Sequence, residues 1–470
     1  MKLRSLIPSL AALALALCGT ALAPVPAHAQ GLTLDVINGI PSAIPITVVP
    51  FGFESAAQPP STDVAAIIRD DMVRCGQFRT LTGADIVEHP THAGQIHFST
   101  WKLLKQDYLV IGRERDDGNG QVRVEYELWN VTSQKKMLAG AYNALPEELR
   151  GVAHRIADQI YQAITGRPGA FYTRIAYVTT TGRGKDMQWS LVVADSDGHN
   201  PQVVVRSRQP LLSPNWSPDG SQLAYVSLES GDSAIYIQNL ATGQRRLVSA
   251  RKGINGAPAF SPGGRRLAMA LSFGGSPEIY VMDLATGKLT QLTHNLSINT
   301  EPRWLPDGQS IVFTSDRSGK PQLYIKPVDG GATARLTFQG EYNSNSAVND
   351  DGSQIAMMQG IGNVYRIAVM DRKLDNQVRF ISPGPLDESP SFAPNGSMLL
   401  YASTGGSGVG VLYEVADNGS VRQRLSLVNG SVQSPAWGPY RIPPGPLARQ
   451  PGVSYVAPGS AQTPSPQAPR

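Results

Sequence analysis

Few residues of this chain are arranged as reactive chemistry would need them. A serine hydrolase asks for a Gly-x-Ser-x-Gly turn that lifts its nucleophile above a sheet. Ser407 comes nearest, with Gly405 two residues before it but Val409 two after, and this reads as a glycine-rich turn. His89, His92 and His97 form a loose cluster, but no His-Glu-x-x-His pattern or nearby cysteine accompanies them, so a polar surface loop is expected and no metal. Gly118-Asn-Gly120 and Gly182-Arg-Gly184 lack the third glycine and the strand-to-helix setting of a phosphate loop, and read as hairpin turns. Asp195-Ser-Asp197-Gly198 offers too few oxygens for calcium and is explained by turn formation. Neither an enzyme nor a cofactor is expected.

A second set of residues suits binding. Asn255-Gly256-Ala257, Asn299-Thr300-Glu301, Asn343-Ser344-Asn345 and Asp387-Glu388 stand at equivalent places shortly before a recurring proline or its counterpart. Amides and carboxylates on a rim can pair with the backbone of an inserted loop or peptide. A solvated structural rim is the alternative.

The elements that position this set repeat. An aromatic or apolar residue is followed by a Pro-Asp-Gly type turn and an apolar strand, and the anchors Trp216, Phe260, Trp304, Val348, Phe392 and Trp437 are spaced 44, 44, 44, 44 and 45 residues apart. Each unit continues with alternating strands such as Leu223-Ala-Tyr-Val226 and Ile235-Tyr-Ile237. Four short strands per unit make a propeller blade. With a degenerate copy beginning near Ile175, six units fill 167–440, and Pro435-Ala-Trp437 should complete the first blade. The anchoring aromatics read as packing between blades.

Ahead of the ring, 30–166 mixes strands and helices. A helix from Ser61 to Cys75 is expected with Ser61 or Thr62 as its cap, and an amphipathic helix over Pro146–Thr165. The expected fold class is therefore an α/β N-terminal domain followed by a six-bladed β-propeller of WD40-like repeats. Residues 441–470 are rich in Pro, Gly, Ala, Ser and Gln, and disorder is expected there.

Residues 1–29 carry Lys2 and Arg4, an apolar run and Ala27-His28-Ala29, which reads as a cleaved signal peptide. Cys18 follows Leu17, where lipidation would want a small residue. Cys75 is then the single cysteine of the mature chain, so no internal disulfide can form. A net charge of +4 over 470 residues gives no basis for binding nucleic acid, and no later segment is long and apolar enough to span a membrane.

The whole pattern resembles the TolB family of periplasmic propellers of the Tol-Pal system. The resemblance rests on Ile46-Thr-Val-Val-Pro-Phe51, Arg174-Ile-Ala-Tyr-Val178, Asn255-Gly-Ala-Pro-Ala-Phe-Ser-Pro262, Tyr280-Val-Met-Asp-Leu284 and Asn299-Thr-Glu-Pro302. It implies a periplasmic monomer that binds proteins, sustains outer-membrane integrity and supports outer-membrane invagination during cell division. It also implies a mouth that binds the lipoprotein Pal, with Asn255, Ala257 and Thr300 at family contact positions; with the rim read from the repeat, the expected Pal site is Asn255, Gly256, Ala257, Asn299, Thr300, Glu301, Ser344, Asn345, Asp387 and Glu388. A flexible segment over 30–41, with Leu32, Leu34, Asp35, Val36 and Ile37, would bind the inner-membrane protein TolA. Ile254 departs from the family's histidine at the mouth, and Val348 from its aromatic. A peptidoglycan- or carbohydrate-binding propeller and a hydrolase with its site in the channel are the alternatives. The first would want exposed aromatics at the mouth, the second a buried acid paired with a base.

Overall fold

A computed structural model describes residues 34–36 and 43–455, apart from 57, 406, 407, 426, 428, 429, 448, 449, 451 and 452. The expected signal peptide lies outside the described residues, as do Leu32, Ile37 and Ser407. No helix among the described residues is long and apolar enough to cross a membrane.

The N-terminal domain is built on a mixed sheet. Its strands are β2 (Ile44–Val48), β3 (Gly52–Phe53), β4 (Phe78–Arg79), β5 (Tyr108–Asp116), β6 (Val122–Asn130) and β7 (Lys135–Ala144), while β1 (Leu34–Val36) belongs elsewhere. β2 runs parallel to β4 and β5, and β5, β6 and β7 form an antiparallel meander. β6 alternates buried and half-buried residues as a one-sided strand should. Helices α1 (Val64–Arg74) and α3 (Leu149–Thr165) cover one face, and α2 (Phe98–Leu103) lies against the other with Trp101 fully buried.

The cap of α1 differs from expectation. The helix starts at Val64, and it is the Asp63 carboxylate that accepts the Ala66 N–H at 2.9 Å; Ser61 and Thr62 stand too early to reach an unpaired amide of the first turn. α3 follows a short 3-10 turn over Pro146–Glu148 and stops at Gly166, whose φ of 75° suits glycine.

Six antiparallel sheets form the propeller, five of four strands and the sixth extended to five by β1. Their inner strands are Leu211–Trp216, Asn255–Phe260, Asn299–Trp304, Tyr342–Val348, Asp387–Phe392 and Ser431–Tyr440. The last of these pairs with Thr173–Thr181, so the final strand of the propeller completes the first blade and closes the ring. Blades are sewn together by their anchor aromatics. The indole N–H of Trp216 donates to the Ala436 carbonyl and that of Trp304 to the Ala259 carbonyl, each at 3.0 Å across a blade boundary, while that of Trp437 donates to Thr173 Oγ1 at 2.8 Å within the first blade.

Between Arg441 and Tyr455 the described residues differ from the expected disorder. Leu447 is buried in the core of the N-terminal domain, and Val453–Tyr455 forms a strand on the free edge of β7.

Two helices of the N-terminal domain meet the first and sixth blades through buried charge. Arg74 of α1 pairs with both carboxylate oxygens of Glu414, at 2.8 and 2.9 Å, with Asp71 at 2.9 Å, and with Ser196 Oγ at 3.0 Å. Asp71 also bonds His154 of α3 at 2.7 Å, and the other nitrogen of that imidazole lies 3.2 Å from Asp197. Arg74, Glu414, Asp71, His154 and Asp197 are all buried.

Candidate binding site at the mouth of the propeller

Every inner strand carries the same irregularity. Its register slips by a bulge, and one residue in the bulge takes a left-handed backbone: Ser213, Ala257, Glu301, Asn345, Ser389 and Ser434, with φ between 47° and 57°. Five of the six are followed by proline, which an inner strand tolerates because its channel-facing edge has no ladder to join. The six residues form a ring around the channel. Neighbours in it touch: Glu301 accepts the Asn345 N–H at 2.7 Å, and the Asn345 amide donates to Ser389 Oγ at 3.2 Å.

Glu301 and Glu388 face the same space. Burial, and behind it the charge of Glu301, raises the Glu388 carboxyl above its ordinary value. Burial lowers the nearby Arg303 guanidinium, which Glu301 partly offsets.

Of the ten mouth positions expected from sequence, the structure splits the set. Gly256, Ala257, Thr300, Glu301, Asn345 and Glu388 are half-buried on the ring and remain open to a partner; Ser344 is buried. Asn255 and Asn299 are a correction, because both have no exposed surface and spend their amides internally. The Asn255 amide donates to the Arg251 and Gly253 carbonyls and accepts from Ser249 Oγ and the Arg251 N–H. Asn299 donates to Glu278, Asn295 and Ser297, and accepts from Arg317. Asn343 closes the next crossover loop in the same way, and buried Asp387 accepts the Gly384 N–H at 2.7 Å. These side chains hold the loops between blades and cannot pair with a partner's backbone.

The residues offered outward are apolar. Ile254, Ile298, Tyr342 and Leu386 occupy one repeat position, three residues before the left-handed one; Ile254 and Ile298 are each 51% exposed, Leu386 is exposed and Tyr342 half-buried. Their backbones are fixed, Ile254 N–H donating to Ser272 Oγ at 2.7 Å and Ile298 N–H to Asp316 Oδ1 at 2.8 Å. Phe273, Leu296 and Phe338 extend the apolar surface, with Arg251 and Arg335 lying over Phe273 and Phe338 at 4.9 and 5.1 Å. Exposed apolar clusters of this kind, rimmed by arginine, mark protein-binding surfaces. The 44-residue spacing could have revealed this ring, but a single apolar residue ahead of a strand reads as part of the strand.

At the outer edge of the sixth blade, β1 adds a strand antiparallel to Val421–Arg424, with Leu34 opposite Gln423 and Val36 opposite Val421. Part of the segment expected to be flexible is thus docked on the chain's own propeller.

Comparison with known proteins agrees with this architecture. Residues 161–441 match the TolB beta propeller domain and residues 32–137 the TolB amino-terminal domain. The chain belongs to the TolB family. It is 60% identical over 416 residues to the Tol-Pal system protein TolB of Xanthomonas euvesicatoria pv. vesicatoria, covering 88% of this chain and 94% of that relative. The protein of the same name from Xanthomonas campestris pv. campestris is 59% identical over the same length. A crystal structure of TolB from Acinetobacter baumannii superposes with a TM-score of 0.79 at 37% identity, covering 87% of this chain and all of that one.

Proposed function

We propose that this TolB-family protein is a periplasmic, non-enzymatic component of the Tol-Pal system that binds Pal at the propeller mouth and TolA through its N-terminal segment. In this role it links inner membrane, peptidoglycan and outer membrane, sustains outer-membrane integrity and supports invagination at division. The observation that carries the reading is the apolar ring of Ile254, Ile298, Tyr342 and Leu386 above the half-buried Ala257, Thr300, Glu301 and Asn345. A protein loop can seat apolar side chains on the first and hydrogen-bond to the second. The docking of Leu34–Val36 on the sixth blade supports a role for this segment as a strand that pairs with sheet edges.

A pull-down with residues 30–470 from the periplasmic extract of its source tests the reading. Recovery of a Pal-type lipoprotein is expected; enrichment of muropeptides without a protein partner would favour a glycan-binding propeller instead.

A further inference from the structure

The end of the chain crosses back to the N-terminal domain and occupies a built site there. Leaving the ring-closing strand at Tyr440, it passes over α3 through Ile442, Pro443, Pro444, Gly445 and Pro446. Together with Tyr142, Arg155, Asp158 and Tyr172 beneath them, these residues enclose a cavity of about 320 Å³. Leu447 then drops into the core shared by α1, α3 and the sheet, retaining 4% of its surface. Two glutamines of α3 hold the backbone and the next turn: Gln162 donates to the Gly445 carbonyl at 3.2 Å, and Gln159, itself buried, donates to Gln450 Oε1. Finally Val453, Ser454 and Tyr455 pair antiparallel with Gly140, Ala139 and Leu138, and Val453 packs against the same core.

We infer that the edge of β7 and the adjoining groove over α3 are an intramolecular docking site whose ligand is the chain's own stretch beyond the ring, held through 442–447, Gln450 and Val453–Tyr455. Three independent contacts agree on that occupant: an apolar anchor, a pair of side-chain amides and a strand register. The composition fits as well, since proline keeps the connecting stretch extended and lowers the entropy lost on docking. Docking has two consequences. It covers a sheet edge that would otherwise invite edge-to-edge association. It also fastens the ring-closing strand Ser431–Tyr440 to the N-terminal domain, so the last blade contact cannot peel away without undocking Leu447. This clasp acts in addition to the Arg74–Glu414 contact between the same two domains.

Hydrogen exchange on the full mature chain tests the assignment, comparing wild type with Leu447→Asp and, separately, Ser454→Pro. Those amides of Leu138–Gly140 that face the C-terminal strand should exchange at least about tenfold faster in both variants, while the inner blade strands keep their protection. Unchanged protection at Leu138–Gly140 in both variants overturns the proposal. So does protection that rises with protein concentration in the wild type, which places the segment on a second copy. Should Leu447→Asp compromise folding, Ser454→Pro decides alone, because it removes one edge amide from an exposed side chain position without touching the core.

Discussion

Arg74 and Glu414 lie 340 residues apart in sequence and form a two-pronged ion pair, at 2.8 and 2.9 Å, between α1 and the third strand of the sixth blade. Neither side chain keeps more than 2% of its surface. A buried charge left alone in such a place costs far more than the pair contributes. Arg74→Met or Glu414→Leu should each destabilise the protein by about 3–5 kcal/mol, and the double variant carrying both substitutions should recover a large part of that loss. Urea unfolding of the four proteins gives the cycle. Additive losses would show that the two residues are energetically independent.

The same network makes stability depend on pH in a definite direction. Burial alone would depress the His154 imidazole, but Asp71 and Asp197 outweigh it and hold its pKa up at about 10, against an ordinary 6.5. A raised folded-state pKa stabilises fully below the unfolded value and loses that contribution as pH rises through the folded one. Stability should therefore fall between pH 6.5 and 10, with a slope that approaches about 1.4 kcal/mol per unit from this group. Asp158, raised by burial to about 7, acts in the same sense over a lower range, from its ordinary carboxylate value up to about 7. Denaturation midpoints at pH 6.5, 8 and 9.5 should decline in wild type and much less in His154→Gln. Parallel declines would remove His154 from the explanation.

The mouth asparagines should behave as structural residues. Asn255→Ala or Asn299→Ala strands the loop carbonyls and amides each one serves, so a loss of about 1–3 kcal/mol in stability is expected from either. Calorimetric unfolding checks this. A stable Asn255→Ala protein with weakened partner binding would restore the direct role that its burial denies.

Ring closure depends on Trp437, which packs in the core where the chain ends meet and donates to Thr173 at 2.8 Å. Trp437→Ala should cost about 3–5 kcal/mol. Deleting Ser431–Tyr440 should abolish cooperative unfolding of the propeller as a whole, because it opens Thr173–Thr181 as an edge. Loss of a single blade with the remainder intact in limited proteolysis would contradict this.

Much of this fold was legible because it repeats. The spacing from Trp216 to Trp437 fixes the number of blades, and the position of Pro435-Ala-Trp437 at the end of the series implies how the ring closes. The candidate binding surface was harder to read. Asn255 and Asn299 are polar residues beside a channel, and nothing local says that their amides are consumed by their own loops. Ile298 looks like a strand residue, and Ile254 like a lone departure at the mouth, until the bulge three positions later shows both at one repeat position outside the blade. The Arg74–Glu414 pair has no local signature at all. The tail misleads by composition: Pro and Gly conceal that Leu447 and Val453 have a groove to enter.

Binding of a protein partner at the apolar ring is read out by titrating the periplasmic domain of the Pal-type lipoprotein into wild type, Ile254→Asp and Ile298→Asp in a calorimeter. Each substitution should weaken binding by about 30-fold or more, as the loss of an interface hot spot does, with an unchanged unfolding temperature. Affinities within about twofold of wild type in both variants, each fully folded, would contradict the assignment of the mouth as the binding site.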